Sequence, residues 1–408
     1  MQRIAVRFLL ISDDNCLPSI PAGYFRTEIR ENMNRKILIL GAGNAQIDAI
    51  EYCQSQGYEV IGCSYTTVDN GIPYLDHFEH MDIKNVEGII EVAKKYDVGA
   101  IYSVGSDVAM PTVMRASEAL GLPHFISPEA AETCHSKSRM REALGKDFSG
   151  NVDYIECACM EEAVRFTGFP GMMKPTDSQG QRGCFRVDCE EDIRKEFHTS
   201  LDFSHEGKVI IESFLEGPEV SLNGYMKDGE MIFGLVSDRV SFDEYPGGII
   251  KEHVLPSKLS EDTRKATAEM AAEAARRIGI LDGPCYFQIK LDLKGNPRIL
   301  EVTPRLDGCH MWNLIKHYCG ADLLAASFSH LLTGDPGLAE EYEMPEEEYR
   351  LIFYSQIPWS KFDSSLHDMS DALYSFCYYK DGDKVRRLNG YIEKCGYKIV
   401  KTGNSVSK

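Results

Sequence analysis

Three stretches of this chain carry side chains whose types and spacing suit polyphosphate and metal chemistry. In the first, Gly171-Met-Met-Lys174-Pro-Thr-Asp-Ser178-Gln-Gly180-Gln-Arg-Gly183, a lysine closes a strand and a polar, glycine-bearing loop follows. A fixed cation beside free backbone N–H groups can fold over a phosphate chain. Taken alone, the same residues read equally well as a surface hairpin, because Gly and Ser clusters are ordinary turn material. In the second, Val209-Ile-Ile-Glu212-Ser-Phe214-Leu215-Glu-Gly-Pro-Glu219, an apolar strand runs into an extended link. Its backbone could meet a purine edge, and Glu219 could accept both hydroxyls of a ribose. As isolated acids on a strand edge, Glu212 and Glu219 would simply be solvated.

The third stretch runs from Gly283 to Gly308. Lys294-Gly295-Asn296 is a turn between two strands, which sets Gln288 beside Glu301 across a hairpin. Both offer oxygen ligands, and Mg2+ commonly takes one or two carboxylates together with phosphate and water. Thr303 and Arg305 fall on the same side of the alternating strand as Glu301. A cation there can stabilise charge on a transferring phosphoryl group. Further on the acceptor side, Arg239 could pair with a carboxylate. His253 and His310 are candidate bases, although a lone His is more often a structural hydrogen-bonding residue. Asp307-Gly308-Cys309-His310 is a candidate substrate contact.

The elements that must position these groups follow from periodicity. From Ile37 the pattern alternates: a strand to Leu40, a turn at Gly41–Asn44, a helix to Gln56, a strand at Glu59–Cys63, a helix at Val86–Tyr96, a strand at Gly99–Ser103 and a helix at Met110–Leu120. Alternation of this kind implies a parallel sheet covered on both faces. Gly41-Ala-Gly43-Asn-Ala-Gln46 has only two glycines of the dinucleotide fingerprint, with Gln46 where the third belongs, so it does not argue for a redox cofactor. Beyond about residue 130 the chain reads as α+β. Its clearest element is a helix at Glu261–Ile278, with Ser260 as N-cap and Gly279 as stop. The acidic run from Ala339 to Glu348 reads as a solvated linker, and Asp381-Gly382 as a hairpin turn in a β-rich tail.

Composition narrows the class. The 408 residues exceed one ordinary core, and 43% hydrophobic with 26% charged residues is the mix of a globular protein. With 44 basic against 63 acidic residues, the net charge is −19. Nucleic acid and anionic membrane are therefore disfavoured as partners, and any anionic ligand needs a local basic cluster. Thirteen cysteines without a Cys-x-x-Cys pair point to a reducing, cytoplasmic setting instead of disulfides or zinc ribbons. No apolar run approaches the roughly 18 residues of a membrane span. Met1–Ser12 makes a poor leader because Arg7 interrupts its short apolar stretch. Met33 stands just before the first strand, so residues 1–33 read as an extension.

In order and spacing the three stretches together resemble the ATP-grasp superfamily, especially its carbamoyl-phosphate-synthetase-like and phosphoribosylamine-ligase-like members, over roughly residues 34–335. The resemblance implies a multidomain α/β and α+β protein: a Rossmann-like parallel-sheet domain at 34–125, a two-lobed ATP-grasp module at 126–335 (lobes about 126–210 and 211–335), and a small β-rich region at 336–408. It implies ATP and Mg2+ or Mn2+ as cofactors. By position, Lys137 and Lys174 correspond to the two nucleotide lysines, and Ser178, Gly180 and Gly183 to the phosphate-covering loop. Glu212, Phe214 and Leu215 match the adenine hinge, and Glu219 the ribose acid. Gln288, Glu301 and Thr303 are the metal positions, Arg305 and Lys174 the catalytic ones, and Arg239, His253, Gly308 and His310 line the substrate end. Thr303 departs from the family's usual Asn and is a shorter, weaker ligand.

The activity so implied is ATP-dependent joining of a small carboxylic acid to an amine or ammonia through an acyl phosphate. Two alternatives differ in class: a carboxyphosphate enzyme using bicarbonate, and a nucleotide-binding protein without turnover. Bicarbonate-stimulated ATPase marks the first, and ATP binding that no acid converts to hydrolysis marks the second. A homodimer is the default assembly.

Overall fold

The computed structural model describes residues 35–178, 182–245, 248–388 and 390–402. The expected extension at 1–33 and Gly180 lie outside these. The leading part is a parallel sheet of four strands, β1 (Lys36–Leu40), β2 (Glu59–Ser64), β3 (His77–His80) and β4 (Ala100–Tyr102), in the order β3-β2-β1-β4. The strand β1 is buried on both faces, as parallel strands flanked by helices must be. The helices Val86–Tyr96 and Met110–Leu120 have the bounds that the sequence pattern predicts. The strand β3 escapes that pattern because it is a short edge strand, His-Phe-Glu-His, with no apolar alternation.

The turn after β1 shows what Gln46 does. Its Oε1 accepts the Gly43 N–H at 2.8 Å, and its Nε2 donates to the Val104 carbonyl. The side chain thus occupies the N–H that a phosphate would need, which agrees with a glycine turn that serves the chain's own packing.

A second sheet of four antiparallel strands follows: β5 (Tyr154–Cys157), β6 (Gly171–Pro175), β7 (Phe185–Val187) and β8 (Val209–Ser213), in the order β5-β8-β6-β7. It has its own core around Met173, Phe197, Val209 and Ile211. The third sheet has eight antiparallel strands. They are β9 (Glu219–Lys227), β10 (Glu230–Ser241), β11 (Ile250–Leu255), β12 (Gly283–Leu291), β13 (Pro297–Thr303), β14 (Glu348–Gln356), β15 (Tyr374–Cys377) and β16 (Glu393–Thr402), in the order β13-β12-β9-β10-β11-β14-β16-β15. The helix Glu261–Ile278 packs on it. That helix starts where the Ser260 hydroxyl accepts the Thr263 N–H at 3.2 Å and stops at Gly279, φ +92°; a cap of this kind contributes about 1 kcal/mol.

One expectation is refined and one changes. The acids Glu340, Glu341, Glu343 and Glu346 are exposed, as in a solvated linker, and the run is also tethered. The Tyr342 ring meets Phe233 edge-on at 5.7 Å, the Tyr318 hydroxyl donates to the Pro345 carbonyl at 2.9 Å, and Glu348 opens β14. Aromatic residues between the acids supply the anchors. Asp381-Gly382 does turn, with Gly382 at φ +90°, but β15 ends at Cys377 and β16 begins at Glu393, so the turn lies inside a longer loop and joins no hairpin.

Candidate active site

Directly opposed residues of an antiparallel sheet point to the same face. The register pairs Glu301 with Gln288 and Thr303 with Tyr286; Gln288 then meets Ser221, and Tyr286 meets Asn223. Ser221 opposes Ser237 and Arg239 opposes His253. One face of five adjacent strands, β13 to β11, is therefore a polar floor in an otherwise apolar sheet, and it carries most of the residues singled out above.

At one end of this floor stands a buried ion network. Lys174 Nζ, at the end of β6, lies 2.6 Å from Glu212 Oε2 on β8, and Arg141 Nε lies 2.9 Å from Oε1. Glu212 and Arg141 are 2% and 0% exposed, so the charges persist only because they neutralise one another. Burial alone would raise the Glu212 carboxyl, but Arg141 and Lys174 hold it down at about 2. Nearby, Lys137 begins the helix Lys137–Leu144, and its Nζ donates to the Ser178 carbonyl at 2.8 Å. Its ammonium is pushed below the usual lysine range by burial and by Lys174, against the pull of Glu301. The loop after β6 is pinned at its base: the Asp177 carboxylate accepts from Ser204 Oγ and from the N–H groups of His205 and Glu206. Three cations thus gather around the Glu212 carboxylate beside Ser178, and Gly183 further along takes φ +71°.

Glu212 does not present its side chain to the hinge. Its alternation along β8 turns the carboxylate to Lys174, so it positions that lysine. The Phe214 N–H donates to the Pro170 carbonyl at 2.9 Å, and Phe214 and Leu215 line a cavity of about 340 Å³ with Asp292 and Asn296. Glu219, expected at a ribose, accepts from Arg239 Nη1 and from Gln288 Nε2 at 2.6 Å. Three residues assigned to three different ligands therefore hold one another.

Arg305 is buried and held by a carboxylate from far upstream. Its Nε and Nη2 donate to the two oxygens of Asp107 at 2.8 and 2.6 Å, a bidentate fork. Asp107 follows β4, and the backbones meet there: a Cβ on Gly105 would stand 2.9 Å from Gly308 Cα. Glu301 lies among these charges. Burial and Asp107 raise its carboxyl, opposed by Lys137, Arg305 and Lys174. An acid so crowded is relieved by a cation, and the buried Thr303 Oγ1 has no hydrogen-bond partner. The donor set of Glu301, Thr303 and the Gln288 amide oxygen fits Mg2+.

At the far end of the floor His253 is wholly buried, and neither ring nitrogen has a hydrogen-bond partner. Burial, then Arg239 and Lys394, keep it well below the usual histidine range, hence neutral. His310, expected beside it, faces elsewhere. It heads the helix Met311–Cys319, its Nδ1 donates to Asp48 Oδ2 at 2.9 Å, and its ring stacks on Tyr397 at 4.5 Å. Held at Nδ1 and stacked on its ring, it joins the leading sheet's helix to the third sheet. Gly308 contributes close backbone approach and no side chain.

Sequence reasoning missed Arg141, Asp107 and Lys394. Arg141 left a trace, an arginine one turn after Lys137 on a short helix. Nothing local marked the other two.

Residues 167–312 match the family model described as the ATP-grasp domain. The chain is 25% identical over 292 residues to the alanine–anticapsin ligase of Bacillus subtilis (strain 168), covering 65% of this chain and 60% of that ligase. It is also 25% identical over 291 residues to the carbamoyl phosphate synthase large chain of Vibrio cholerae, covering 66% of this chain and 26% of the synthase. In fold it is similar to N5-carboxyaminoimidazole synthetase from Staphylococcus aureus complexed with ADP, with a TM-score of 0.74, 15% identity, and coverage of 91% of this chain and 94% of the other. The family match is confined to residues 167–312, the chain spans less than two thirds of the length of either relative, and the likeness in fold extends over nearly all of the described chain.

Proposed function

We propose that the protein is an ATP-dependent ligase joining a small carboxylic acid to an amine or ammonia through an acyl phosphate. A carboxylate is a poor acyl donor because its leaving group would be an oxide. Its oxygen attacks the γ-phosphorus and ADP departs. The amine lone pair then attacks the acyl carbon, phosphate leaves with the bonding pair, and the amine gives up a proton. Lys137 and Lys174 neutralise the triphosphate, Arg305 stabilises the transferring group, and the 176–183 loop excludes water from the mixed anhydride. Phe214 and Leu215 offer the hinge, and Glu219, once released by Arg239, offers the ribose contact. Glu301, Gln288 and Thr303 are the residues that would hold Mg2+, which when bound would neutralise phosphate charge.

The observation that supports this reading is convergence: Lys137 binds the segment after Lys174, its N–H donating to the Thr176 carbonyl at 3.0 Å and its Nζ to the Ser178 carbonyl at 2.8 Å, while Gln288 and Glu301 oppose each other across β12 and β13. The similarity to an alanine–anticapsin ligase favours amino acids among the substrates. No helix among the described residues is long and apolar enough to cross a membrane.

The test is ADP release from Mg-ATP in the presence of pooled carboxylic acids, amino acids and amines. Release that depends on an acid and is abolished by Lys174→Ala and Glu301→Ala supports the assignment. Release that survives both substitutions defeats it, and stimulation by bicarbonate alone would move the protein to the carboxyphosphate class.

A further inference from the structure

We propose that His253, Asp307 and Cys309 form a site for a thiophilic divalent cation of the zinc class, distinct in its donors from the oxygen set at Glu301. One ligand atom from each residue lies within 4.8 Å of the other two. His253 is fixed by the β11 ladder opposite Arg239, while Asp307 and Cys309 stand two apart on the loop that follows Arg305. The Cys309 N–H donates to Asp307 Oδ1 at 3.2 Å. That bond orients the carboxylate as outer-shell contacts orient metal ligands, and it leaves Oδ2 buried without a partner. Both ring nitrogens of His253 are likewise orphaned. Buried polar atoms in this state cost stability unless something completes them.

The chemistry of the donors selects the occupant. Nitrogen, carboxylate and sulfur together suit Zn2+ or Co2+, whereas Mg2+ requires oxygen. A thiolate and a carboxylate bring two negative charges to offset a divalent ion. The flanking cations do not forbid this. Arg239 pairs with Glu219; burial and then Asp307 raise the Cys309 thiol, and Lys394 Nζ, donating to Sγ at 3.4 Å, opposes them, so that a bound divalent ion would complete the thiolate's counter-charge. Three protein ligands are one fewer than a structural zinc site uses, so the fourth position falls to water or to a substrate group, as in catalytic sites. The ion would then present a Lewis acid at the acceptor end of the floor.

The experiment needs no ATP turnover, so its outcome is independent of the ligase reading. Metal-free protein is titrated with Co2+ and followed by thiolate-to-cobalt charge-transfer absorbance. The expected result is one equivalent carrying the sulfur band, lost in Cys309→Ser at unchanged circular dichroism, and at least about 10-fold weaker binding in Asp307→Asn. Absence of the band in the wild-type protein, or its survival in Cys309→Ser, overturns the proposal. An organic occupant whose ammonium meets Asp307 would give the first of these results. Should Cys309→Ser fail to fold, alkylation of the wild-type protein decides: stoichiometric Zn2+ must protect Cys309 from iodoacetamide in the mapped peptide, and undiminished labelling overturns the site. ADP binding by the same preparation reports separately on the nucleotide pocket.

Discussion

The two ends of the polar floor are built on opposite principles. Around Lys174, Glu212 and Arg141 the buried charges pair with one another, and of the three groups only Arg141, at Nη2, keeps an atom without a partner. Around His253, Asp307 and Thr303 buried polar atoms have no partner. The first end gives a charge pattern fixed in advance, which electrostatic stabilisation of phosphate requires. The second bears unpaired groups that favour whatever completes them. The difference teaches where this chain has invested stability and where it has reserved binding potential.

The sharpest way to break the contrast is Arg141→Met. It leaves Glu212 with half its counter-charge in a dry site and is expected to cost about 3–5 kcal/mol by urea denaturation. A cost below about 1 kcal/mol would show that the network is not what holds this end. Its pH counterpart comes next. The Glu212 carboxyl sits at about 2 when folded against 4.5 ordinarily. Its contribution is therefore full above the ordinary value and lost as pH falls from about 4.5 towards about 2. The thermal midpoint should drop across that window, and Glu212→Gln should flatten part of the drop; identical profiles would contradict the assignment.

Between the two ends lies the Asp107–Arg305 fork. Asp107→Asn keeps the shape and removes the charge, at an expected cost of about 2 kcal/mol, with kcat for acid-dependent ADP release falling more than KM for ATP rises. The smallest effect belongs to the orphaned end. Thr303→Val removes an unpartnered hydroxyl without changing volume, so stability should stay within about 1 kcal/mol of wild type or improve, while Mg2+ dependence of turnover weakens. A large loss of stability would mean that the hydroxyl is satisfied in solution.

Much of the frame was legible in the sequence, for local reasons. The helices Val86–Tyr96, Met110–Leu120 and Glu261–Ile278 announce themselves by period and by caps such as Ser260, Gly121 and Gly279, and the Gln288–Glu301 pairing follows from the turn between β12 and β13. What stayed hidden depends on facing and on distance. Glu212 was legible as an acid at a strand end, but a single step of alternation decides whether it meets the hinge or Lys174. Asp107 lies 198 residues from Arg305, and Lys394 reaches Cys309 across 85; no spacing rule spans such gaps. For His310 the sequence left a candidate base and a structural hydrogen-bonding residue side by side, and only its contacts with Asp48 and the Tyr397 ring, both remote in sequence, show what holds it.

The docking of Gly105 on Gly308 has a practical corollary for anyone who would trim this chain. An excised fragment beginning near residue 126 would keep every stretch that the family match covers yet strand the Arg305 guanidinium without its counter-ion. Such a piece should express poorly and lack turnover, and supplying residues 35–125 as a separate polypeptide should restore both.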